Sequence, residues 1–123
     1  MTIRMLSGLV LGMLMAAAAQ AECNYPKEPG SLPDGNTATQ EQMVQGMKAV
    51  KEYNTQVTAY LSCLEQEMNA RVEAAGPDAP AEQIEQIKAI HNKRHNAAVD
   101  ALEQTAARFN EQVKTFKARE KKS

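Results

Sequence analysis

From Thr39 onward, apolar side chains return every three or four residues along most of the chain. The first run is Met43, Met47, Val50, Asn54, Val57, Leu61, Leu64, Met68, Arg71 and Ala75, a sustained 4-3 repeat. Val44, Tyr53, Tyr60 and Val72 widen its stripe. This period is that of an amphipathic helix rather than a strand. Thr39 followed by Gln42 has the capping-box spacing, in which each side chain satisfies a backbone N–H at the helix start. Gly46 is the weak interior position, and Gly76-Pro77 is the stop. The pattern therefore predicts helix over 39–75. A second stripe, Ile84, Ile87, His91, Ala98, Leu102, Ala106, Phe109, Val113 and Phe116, predicts helix over 79–118. Asp78 is its cap candidate, Pro80 sits in its first turn, and Lys114, Lys117 and Arg119 suit its negative end. Residues 119–123 read as a basic tail.

Each helix spans about 55 to 60 Å at 1.5 Å per residue. A link of about four residues makes them antiparallel neighbours. The expected fold is all-α, a long antiparallel two-helix hairpin resembling a coiled coil. Its register sets Leu64 opposite Ile90 and His91, Val57 opposite Ala97 and Ala98, and Tyr53 opposite Ala101 and Leu102.

Residues 22–38 break the pattern. Pro26, Pro29 and Pro33 fix φ and remove donors, so the segment reads as an irregular strip. Leu32-Pro33-Asp34-Gly35 has Pro second and Gly fourth, as a type I turn prefers. Cys23 and Cys63 are the two cysteines of the chain. The 16-residue strip reaches about 53 Å extended, while the helix from Thr39 to Cys63 is about 36 Å long. The strip can therefore run back along the first helix and be stapled to it by a Cys23–Cys63 disulfide. An intermolecular bridge or free thiols are the other readings. Tyr25 and Leu32 would then cover apolar residues that two helices leave exposed.

The compartment follows from the first 21 residues. Arg4, an apolar run from Met5 to Met15 and Ala19-Gln20-Ala21 have the grammar of a signal peptide cleaved between Ala21 and Glu22. The apolar stretch is shorter than the roughly 18 to 20 residues a membrane span requires. Glu22, directly before Cys23, argues against acylation of that cysteine. The expected location is the periplasm or the exterior, with no membrane span after cleavage. Of 14 basic residues, 13 remain without Arg4, against 15 acidic. That balance calls for no nucleic-acid partner. With no Trp, three Tyr and two Phe in the chain, the core is thin, which favours an elongated object or a core shared with a partner.

The segment Leu32-Pro33-Asp34-Gly35, with Ala38-Thr39, Met43, Val50, Tyr53 and Tyr60-Leu61-Ser62-Cys63, resembles a group of small exported proteobacterial helical-hairpin proteins of unassigned function. The resemblance implies a periplasmic or secreted bacterial location and carries no catalytic residue across.

Candidate chemistry is sparse. His91 and His95 stand at i and i+4, the spacing of two metal ligands on a helix. The register brings His91 near Cys63, whose free thiolate would complete a zinc or copper trio. Against this, His91 also suits the seam as a polar gap-filler. No nucleophile–base pair, phosphate loop, C-x-x-C or H-E-x-x-H occurs, so neither enzyme activity nor a cofactor is expected. The expected function is an exported binding or structural module acting through protein–protein helix packing. Val44, Tyr53, Tyr60 and Val72 face the partner, which is a client or a second hairpin in a homodimer. A metal buffer using His91, His95 and Cys63, a chaperone-like holder and a lipid-surface role are the alternatives.

Overall fold

The computed structural model describes residues 23–122; the expected signal peptide at 1–21 lies outside them. Helix α1 runs Gln40–Ala75 and helix α2 runs Ala81–Lys122, with no strand among the described residues. They pack antiparallel as a hairpin. Thr39 caps α1 as expected: its hydroxyl accepts from Gln42 N–H, and the Gln42 side chain accepts from Thr39 N–H. Gly76 ends it at φ 84°, a backbone region that favours glycine. Pro80, rather than Asp78, precedes α2, and its carbonyl accepts from Gln83 and Ile84. Among the described residues no basic tail separates from the helix, because α2 continues past 118 to Lys122. Arg119 holds this last stretch by lying over the Phe116 ring and donating to the Ala38 carbonyl. Arg119, Lys121 and Lys122 also complement the dipole at that end.

The register matches the sequence reading. His91 Nδ1 lies 3.2 Å from the Leu64 carbonyl, and Val57 shares a buried cluster with Ala98 and Tyr53. The face of α1 that is buried differs from the one expected. Gly46, Tyr53, Val57, Tyr60 and Leu64 are buried, whereas Met47, Asn54 and Arg71 are exposed. The stripe is rotated toward the tyrosines because a third body lies on that side.

That body is the strip. Cys23 is bonded to Cys63 with the Cα atoms 5.7 Å apart. From there the chain runs toward the open base of the hairpin, antiparallel to α1. Tyr25 sets its ring edge-on to Tyr60 at 5.4 Å, and Pro26 is buried. Leu32 joins Ala38, Met43 and Phe109 in a second cluster at the base. Gly46 has its role here: a Cβ on it would sit 2.7 Å from the Pro33 ring and 2.9 Å from Phe109. The helix gives up propensity at this position so that strip and α2 can both approach.

The turn differs from the expected one. It starts at Asp34 rather than Leu32: Asp34 carbonyl accepts from Thr37 and Ala38, and its carboxylate accepts from Asn36 N–H at 2.9 Å. Asp suits the first position of such a turn because its side chain bonds the backbone two residues on. Gly35 then rests on α2, its N–H donating to Gln112 Oε1 at 2.8 Å.

Candidate docking surface

Cys63 lies beyond the middle of α1, and from Cys23 the strip runs toward the base, so among the described residues the apical part of the hairpin has two layers instead of three. In α1 no residue after Leu64 is buried, and in α2 none before Ala98. Yet both arms keep their apolar stripes there. Met68, Val72, Ile84 and Ile87 are only half-buried, and Ile90 is 52% exposed.

A shallow cleft opens on this apical part, lined on its apolar side by Leu64, Met68, Ile87 and Ile90. Its polar side is organised by Glu67, which accepts from Arg71 at 2.6 Å and from Arg94 at 3.1 Å. Glu67 Oε2 also lies 3.6 Å from Cys23 Sγ. A disulfide sulfur has no proton to donate, so this is a packing contact. Burial alone would weaken the hold of Arg94 on its proton. The Tyr60 hydroxyl and Glu67 outweigh that and raise its pKa above the ordinary arginine value. Glu67 thus joins α1, α2 and Cys23 of the strip at the rim of the cleft. Its exposed ion pairs contribute modestly to stability and fix side-chain positions instead.

A second depression, of about 270 Å³, lies between strip residues Lys27 to Gly30 and the α1 residues Ala49, Glu52, Tyr53 and Gln56. Tyr53 is 2% exposed. Burial pushes its phenol above the ordinary value of 10.0, with Glu28 and Tyr25 adding and Arg108 opposing. The unfolded chain therefore loses this proton first. The contribution is complete below pH 10 and is lost as the pH rises through the folded-state value. Urea midpoints measured from pH 9 to 11 should fall, and Tyr53→Phe should flatten the fall.

The residues singled out from the sequence separate into three groups. Cys23 and Cys63 are joined, which leaves Cys63 no thiolate to offer a metal. His91 and His95 remain neighbours, their ring centroids 5.9 Å apart. Among the described residues no group of three or more His, Cys, Asp or Glu side chains is placed to hold a metal. Of the four positions expected to face a partner, Tyr53 and Tyr60 are covered by the chain's own strip, at 2% and 5% exposure. Val44 stays exposed and Val72 half-buried. Tyr25 in the strip and Val44 and Met47 on α1 are exposed, and in the apical part the leftover apolar surface centres on Ile90, with Ile87 and Met68 half-buried beside it. No described helix is long and apolar enough to cross a membrane. Comparison with protein-family models, curated proteins and solved structures finds no match.

Proposed function

We propose that this chain is an exported binding or structural module without catalytic activity of its own. It works by packing the apical part of its hairpin against a helical surface of another protein or of a second copy. The observation that carries this reading is the uneven coverage of one continuous hairpin. The base has a third layer and buried residues, while the apical part keeps Ile84, Ile87, Ile90, Met68 and Val72 without one. A pair of helices with an apolar stripe on an open side gains by acquiring a third or fourth helix. Glu67, Arg71 and Arg94 form the polar rim that interfaces of this kind carry.

Export to the periplasm or the medium, after cleavage between Ala21 and Glu22, belongs to the same proposal. The Cys23–Cys63 bond supports it, since such bonds persist in oxidising compartments.

The test is Ile90→Glu, an exposed position whose change leaves the buried clusters intact. Sedimentation of the oxidised chain, together with capture of partners from envelope extract, should show association that the variant weakens at least tenfold at unchanged helicity. A chain that stays monomeric at high micromolar concentration removes the self-association form. Partners captured equally by Ile90→Glu remove the apical surface.

A further inference from the structure

We infer that His91 and His95 form a two-imidazole chelate on α2 for a borderline divalent cation, zinc or copper. It rests on other observations than the docking reading, although His91 also lines the apical cleft. The i, i+4 spacing puts the two side chains one above the other on one helix face, and the rings lie 5.9 Å apart at 42°. With Zn–N distances of about 2.1 Å, two imidazoles on one ion hold their centroids roughly 4.5 to 5.5 Å apart. A small rotation of each ring closes the difference.

The contact across the hairpin makes this more than a spacing. His91 Nδ1 lies 3.2 Å from the Leu64 carbonyl oxygen. A carbonyl only accepts, so Nδ1 bears the proton and Nε2 of the neutral ring is left with the lone pair. Metal-binding histidines are oriented in this way, the far ring nitrogen donating to a backbone carbonyl. α1 thus sets both the tautomer and the ring plane of a ligand on α2. Of the cations near the pair on α2, Lys88, Lys93 and Arg94, the last is engaged by Glu67 at 3.1 Å. Imidazole nitrogens suit zinc and copper over magnesium or calcium. Because Cys63 is in the disulfide, two ligands come from the chain. Water would fill the remaining positions, one more than in an open site with three protein ligands.

Calorimetric titration of the oxidised chain with zinc chloride, and separately with copper(II) chloride, should give one ion per chain. His95→Ala, which leaves the His91–Leu64 contact in place, should weaken binding at least tenfold at unchanged helicity. In nitrogen NMR, zinc should shift Nε2 of His91 while its Nδ1 keeps the signature of a protonated nitrogen. Equal affinity in His95→Ala, or no heat above a buffer control in the native chain, overturns the inference. So does loss of the proton signature at Nδ1.

Discussion

Breaking the Cys23–Cys63 bond, with a dithiol reductant or by changing both residues to serine, lowers the unfolding free energy by about 4 kcal/mol. The bond closes a loop across a sequence separation of 40, and the chain-entropy relation for a loop of that size gives this figure. For a single domain whose total is on the order of 5 to 15 kcal/mol, it decides between a stable chain and a marginal one. The loss should also be local in character. Base contacts hold Leu32 to Ala38 without help from the disulfide. From Cys23 to Gly30 the ties besides the bond include the packing of Cys23 on the Tyr53 and Tyr60 cluster, the Tyr25–Tyr60 ring contact, the burial of Pro26 and a 3.9 Å Glu28–Arg108 pair between exposed side chains. Reduction should therefore free the first part of the strip and uncover Tyr53 and Tyr60. Urea denaturation read by helicity gives the energy, and hydrogen exchange of the strip gives the location. Matching midpoints with and without reductant would show that the clasp contributes nothing.

Gly35→Ala should cost about 3 kcal/mol, at the upper end of what overpacking a close contact costs. The added methyl would fall on the Gln112 carbonyl oxygen and lie 2.9 Å from both Phe116 N and Thr115 Cβ. Two of these three are backbone atoms of a continuous helix, which cannot turn aside as a flexible side chain would. The strip must lift instead, which breaks the Gly35–Gln112 bond and strains the Ala38–Arg119 bond beside it. Gly30→Ala is the control: no heavy atom lies within 4 Å of its Cβ, and its midpoint should shift by no more than about 0.5 kcal/mol. Equal midpoints for the two variants would mean that the strip does not seat on α2.

Period, caps and breakers were local and therefore readable: a 4-3 repeat, Thr39 with Gln42, Gly76 before Pro77. The antiparallel register followed from the short link, and it places Leu64 at His91 as the contact shows. Which residues share the face of α1 was not readable to the same degree. Positions 53 and 60 lie one step round the helix from 54 and 61, and both stripes fit the same period. Only a body packed on one side makes Tyr53 and Tyr60 core and leaves Asn54 exposed. Thr105, 1% exposed and accepting from Arg108, was missed for a related reason. A hydroxyl breaks an apolar pattern on paper yet is satisfied by a neighbour one turn away.

The sequence by itself determined two amphipathic helices, their hand-to-hand order and a cysteine pair able to meet, because each depends on spacing and on the chemistry of adjacent residues. Tertiary structure alone decided which face is covered, that Gly35 and Gly46 are points of close approach, and that the apical stripe of Ile87 and Ile90 is left open. Those outcomes depend on where the strip lies across both helices, and such a placement is set by the joint fit of residues far apart in the chain.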